Sequence, residues 1–208
     1  MNAARHRFGT ALGMALWLTQ APVATATDFS DPDWPCIQRK VENLSASLIW
    51  PAPITRAQLT PAAKDLAATL SLRRVSLDEA EIHVRDFVEK SAPVDGELLG
   101  NIFLAVFDNI ADTRRQLIAG ISRYSRKQIA LSSRIEGSRT ETARLAGEKD
   151  PDFDRLDKLE EQMDWDERIY RDRAQALTYV CETPVLLEKR AYAIGQILLK
   201  HMPDRDTQ

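Results

Sequence analysis

The sequence predicts an all-α protein: a helical bundle base carrying a long antiparallel, coiled-coil-like hairpin, preceded by an irregular N-terminal strap. Helix-start signals recur between Thr60 and Asp95, and apolar residues then return every three or four positions through most of the remaining chain. Two long helical stretches of opposite charge follow. From Thr113 to Leu145 eight basic residues stand against two acidic ones, Glu136 and Glu141; from Glu148 to Asp172 eleven acidic residues stand against five basic ones. Asp150-Pro151 separates them, so folding the second stretch back on the first brings opposite charges together.

Residues 1–26 read as a secretory signal. Arg5, His6 and Arg7 give a basic start, Thr10 to Leu18 a short apolar core, and Ala24-Thr25-Ala26 an A-x-A cleavage site. The apolar run is shorter than the roughly 20 residues that cross a bilayer as a helix. Cleavage near Ala26 would leave a periplasmic or secreted chain starting at Thr27. Of 28 basic residues, Arg5 and Arg7 leave with the signal, so 26 remain against 31 acidic ones. A chain of about 180 residues is long enough for one domain with a real core.

Two cysteines, Cys36 and Cys181, remain in that compartment. An even pair in an oxidising environment reads as a disulfide. No C-x-x-C spacing and no neighbouring histidine favours a redox or metal role.

Residues 27–60 form the strap. Asp31-Pro32, Trp34-Pro35, Trp50-Pro51 and Pro53 oppose a continuous helix, because each proline removes an amide donor and restricts the residue before it. One short helix fits between Ile37 and Ile49. Trp34 and Trp50 each precede a proline, which suits anchors onto a helical body or a groove for a partner.

The helical domain spans 61–208. Thr60-Pro61 pairs an N-cap with proline at the first helical position. Ser76-Leu77-Asp78-Glu79 has the capping-box pattern, and Leu77, Ala80, Val84, Phe87 and Val88 share one face behind it. Pro93 ends that helix and Asp95 can cap the next. Phe103, Phe107, Ile110, Leu117, Ile121 and Tyr124 begin a stripe that thins through Leu131, Ile135 and Leu145. The return helix shows Phe153, Leu156, Leu159, Met163, Tyr170, Leu177 and Val180. Pro184 is expected to kink or break it, leaving Val185 to Leu199 as a last helix. The hairpin proper therefore runs from 114 to 180. With the turn centred near Lys149, Arg144 faces the neighbourhood of Asp154, Arg139 that of Glu160 and Arg134 that of Asp164.

The chain offers little chemistry. His83 and His201 are the histidines left after the signal, and the Glu-x-x-His pairs of carboxylate-bridged metal bundles do not occur. Glu79, His83 and Asp86 share a helix face but read as surface residues. No C-x-x-C-H motif, glycine-rich phosphate loop or G-x-S-x-G elbow is present. No catalytic residue, metal ligand or cofactor is therefore assigned. Nucleic acid is not expected as a partner, because counterion release needs uncompensated cations and an acidic stretch follows the basic one.

The function expected is a non-enzymatic scaffold, adaptor or accessory subunit of a cell-envelope protein complex. The interaction candidates are Trp34, Trp50, Arg114, Arg115, Arg123 and Arg126. The last four meet few acids on the return helix, which leaves a weak contact with anionic membrane or wall polymer open. Homodimerisation through the hairpin is a further possibility. The alternative class is a small helical enzyme or ligand carrier with a pocket near His83, Glu79 and Phe103.

Overall fold

A computed structural model describes Asp31 and residues 33–203. The signal segment 1–26, its cleavage site and strap residues 27–30 lie outside the described residues. The elements are α1 (Pro61–Ser71), α2 (Leu77–Ser91), α3 (Gly96–Ala146) and α4 (Phe153–Lys200), with no strand among the described residues. The all-α expectation holds, and so does the antiparallel hairpin, formed by the outer parts of α3 and α4.

Each helix starts where its cap stands. Thr60 Oγ1 accepts from Ala63 N, with Pro61 at the first helical position. Ser76 and Glu79 close a complete capping box. Asp95 accepts from Leu98 N at 2.7 Å, and Asp152 accepts from Arg155 N at 3.1 Å. These bonds satisfy donors that the first helical turn leaves without partners.

The base is a bundle of α1, α2, the start of α3 and the end of α4. Its centre holds Leu70, Val84, Leu99, Phe103, Ile194 and Leu198, all without solvent exposure. The strap closes over them. Trp50 is 3% exposed and stacks on Phe103 with ring centroids 5.1 Å apart. Buried Asn101 holds the extended segment before α1: its Oδ1 accepts from Ala57 N, and its Nδ2 donates to Thr55 O and Glu97 O. Arg190 does comparable work at the end of α1, donating to Leu70 O and Val75 O. Leu70 O belongs to the last turn of α1, whose carbonyls have no helical donor of their own.

Two expectations need correcting. Pro184 does not break the return helix, and Val185 to Leu199 is not a separate helix: α4 runs unbroken from 153 to 200. Proline deletes one internal hydrogen bond and crowds the preceding turn. Packing outweighs that here: Cys181 is tied by a disulfide on one side, and Leu187, Ala191 and Ile194 are buried on the other. The short helix expected within 37–49 shrinks to a single 3-10 turn, Ala46–Leu48; most of the strip before it is exposed, and only Leu44, Ala46 and Ile49 at its end pack on the core.

Candidate functional surface on the hairpin and strap

The hydrophobic core stops early along the hairpin. The contiguous core of the base ends at Ala111 on α3 and begins at Leu187 on α4; beyond it Ile118, Ile121, Leu131, Ile135, Leu145 and Leu156 are buried singly along the seam between the two helices. There the two helices have only each other and the strap. Residues 114–146 of α3 measure roughly 50 Å at 1.5 Å per residue.

The hairpin register follows the turn. Tyr124 Oη donates to Arg173 O, Gln128 Nε2 donates to Tyr170 O, and Arg155 pairs with Glu141 at 2.7 Å. These pairs are centred close to Lys149, as the sequence implies. The arginines nevertheless reach partners other than the expected ones. Arg134 binds Asp166 bidentately at 2.7 and 2.6 Å, and Arg139 reaches Glu167 at 2.6 Å. Both lie nearer the base than the acids directly opposite. A helical side chain leans toward the N-terminus of its own helix, and for α3 that direction is the base. Arg144 stays on its own helix, paired with Glu141 and Glu148.

Asp166 is 1% exposed. The Arg134 guanidinium holds its carboxyl below the ordinary range, opposed by desolvation and helped by Gln162. A two-helix arm is thin, so the charge-assisted bond wins over burial.

Between this pair and the base the seam is mixed. Ser122, Ser125 and Gln128 are buried on α3 beside Ile118, Ile121 and Leu131, while α4 from Arg171 to Val180 is exposed at every residue except Leu177. Small or polar seam residues leave the helices grooved on both flanks. One open groove of about 960 Å³ runs past Gln128, Ile129, Ser132, Tyr170 and Leu177, with Pro35 of the strap at its edge. A second, of about 480 Å³, follows Leu117, Gly120, Tyr124 and Val180 on the other side.

The strap crosses the hairpin root. Cys36 and Cys181 form the expected disulfide, with Cα atoms 5.5 Å apart. Trp34 is half-buried and donates to Gln38 O at 2.7 Å, shaping the strap rather than facing outward. Trp50 belongs to the core, so it is an anchor and offers no ring to a partner. Arg114 is likewise interior, at 4% exposure. It donates to Pro184 O and to the strap carbonyls of Val41 and Glu42, with Glu188 3.8 Å away. Desolvation pulls its pKa down, partly offset by Glu188.

The other three candidates are exposed. Arg115 pairs with Asp112 on its own helix, and Arg126 pairs with Asp33 of the strap at 2.6 Å. Arg123 makes no ion pair with any described residue. These three and Lys40 line an open groove of about 420 Å³ between strap and α3.

The residues proposed for a ligand pocket in the base do not converge. Phe103 is packed between Trp50 and Phe107. Glu79 serves the α2 cap, and its bonds from Ser76 lower its carboxyl pKa. His83 and Asp86 are on the α2 surface, exposed and half-buried respectively. Among the described residues no group of three or more His, Cys, Asp or Glu is placed to share a metal ion.

Sequence reasoning passed over Trp165, which is 58% exposed on α4. The signal was its position off the apolar stripe of Leu156, Leu159, Met163 and Tyr170. Comparison with known proteins finds no matching family, no similar curated protein and no solved structure that matches.

Proposed function

We propose that the protein is an exported, non-enzymatic scaffold or adaptor, an accessory subunit of a cell-envelope protein complex that engages its partner through the hairpin and strap. One observation carries the reading: the core of the base ends at Ala111 and Leu187, yet both helices continue far past it. Folding the base does not need that extension. Three cross-helix ion pairs, Arg134–Asp166, Arg139–Glu167 and Arg155–Glu141, hold the two helices together. What the extension offers a partner is a narrow rod, grooved on both flanks. The disulfide and the lack of any described helix long and apolar enough to cross a membrane are compatible with an exported chain.

The test is crosslinking with mass spectrometry in intact cells, paired with pull-downs by a shortened protein. Deleting 123–170 and closing the ends with a short glycine-containing turn keeps base, disulfide and strap. Partner crosslinks are expected on the hairpin and strap and lost with the deletion. Retention of every partner by the shortened protein would overturn the role of the hairpin.

A second contact, with anionic lipid or wall polymer, is favoured by Arg123, which makes no ion pair among the described residues, beside Lys40, Arg115 and Arg126. Sedimentation with anionic vesicles, and with cell-wall polymer, checks it. Binding should weaken on Arg123→Ala and with added salt.

A further inference from the structure

We propose that the outward face of α4 around Trp165 is the interface of a two-fold symmetric homodimer, with two hairpins packed antiparallel through that face. The inference stands apart from the adaptor reading and survives its failure.

Trp165 points away from α3. The half-buried and buried residues from Leu156 to Ile169 are Leu156, Leu159, Met163, Asp166, Glu167 and Ile169. At about 100° per residue all but Ile169 lie 100° or more round the helix from Trp165, and Ile169, one turn on, adds an apolar neighbour to the Trp165 face. A tryptophan left 58% exposed on a rod has no role in holding that rod together. It sits in a shallow depression of about 500 Å³ bordered by Lys158, Glu161, Gln162 and Arg168. A large ring framed by polar groups is the usual composition of an interface hot spot.

The surrounding charges specify what covers it. Lys158 stands seven residues before Trp165 and Asp172 seven after; Glu161 stands four before and Arg168 three after. Seven residues are two turns less about 20°, so all four share the Trp165 face. None of the four makes an ion pair among the described residues, although pairs are plentiful elsewhere on the hairpin.

Now place a second copy antiparallel across a two-fold axis at Trp165. Lys158 of each copy meets Asp172 of the other, Glu161 meets Arg168 on the same flank, and the two indoles meet at the centre. A two-fold interface must be complementary to itself, residue i meeting j while j meets i. This stripe has that property. A parallel arrangement would instead set each charge against its own like, which is repulsive.

The test is sedimentation velocity of the disulfide-bonded protein over low to high micromolar concentration. Concentration-dependent dimers are expected. Trp165→Ala should weaken dimerisation at least about 30-fold, the loss typical of a hot-spot truncation. Lys158→Asp sets two aspartates together twice per dimer and should weaken it too. The double variant Lys158→Asp/Asp172→Lys should restore dimerisation, because the exchange recreates both pairs. Exposed Trp165 and Lys158 are not needed for folding, and unchanged far-UV circular dichroism checks that. A monomer at all concentrations, or a dimer indifferent to Trp165→Ala, overturns the proposal. So does a charge exchange that fails to restore what Lys158→Asp removed.

Discussion

Glycines in the base and in the hairpin show how differently the two regions are built. At Gly195 of α4 an added Cβ would lie 2.6 Å from Ile49 Cγ2 and 3.1 Å from Phe103 Cε2. At Gly137, in the outer part of α3, an added Cβ would meet nothing within 4 Å. A mid-helix glycine costs about 1 kcal/mol relative to alanine. In the base that cost admits the strap against α4. In the hairpin nothing is gained in return. The base is a jigsaw in which backbones approach closely. The hairpin is a pair of rods held by spaced contacts.

The largest effect should come from cutting the link between the two regions. Cys36 and Cys181 are 145 residues apart. The chain-entropy model gives a loop of that size at most about 5 kcal/mol. Cys36→Ser/Cys181→Ser should lower the melting temperature, and amide exchange should speed up first in residues 33–45. A uniform loss across base and strap alike would erase the distinction between them.

Arg114→Ala comes next, at the root of the hairpin. It leaves Pro184 O and two strap carbonyls without a side-chain donor and removes a long packed stem, worth about 2–4 kcal/mol together. Denaturant unfolding measures it. A loss near zero would mean that the strap is held by the disulfide alone.

Arg134→Ala is smaller and confined to the hairpin. Asp166 would stay covered without its counter-charge, while Arg134 itself stands in solvent, so about 1 kcal/mol is expected. Hydrogen exchange should rise between 128 and 170 while the base stays protected. The pH dependence has a definite sign. Asp166 and Glu141 both have lowered pKa values in the folded state, so their stabilisation is present above their unfolded values and lost as pH falls through the folded ones. The hairpin should therefore loosen below about pH 4, near the unperturbed carboxylate pKa.

The smallest change is the most discriminating. Gly137→Ala should stabilise by up to about 1 kcal/mol through helix propensity. Gly195→Ala should destabilise by about 1–3 kcal/mol through overpacking. Thermal melts of the two variants moving in the same direction would break the comparison.

Signals that act within a few residues were legible in the sequence. Thr60, Ser76 and Asp95 cap the helices because each cap needs only its own next turn. The hairpin register was legible for a similar reason: a short turn fixes which positions face one another. The arginine partners were not, since side-chain lean decides between acids a turn or two apart. Pro184 misled because proline is read as a local breaker, whereas the cost of keeping it inside a helix is met by burial on both sides. Arg114 and Arg123 look alike in sequence, nine residues apart on one basic stretch. One is a buried rivet and the other an exposed cation.

The sequence by itself therefore determined where α1, α2 and α3 start, the hairpin fold-back and the pairing of Cys36 with Cys181, because capping, periodicity and the count of two cysteines are properties of the chain. Tertiary structure alone decided which arginines are interior and where the core of the base stops. Those outcomes depend on which surfaces the strap covers. That coverage rests on contacts between residues far apart in the chain, such as Trp50 with Phe103 and Arg114 with Val41.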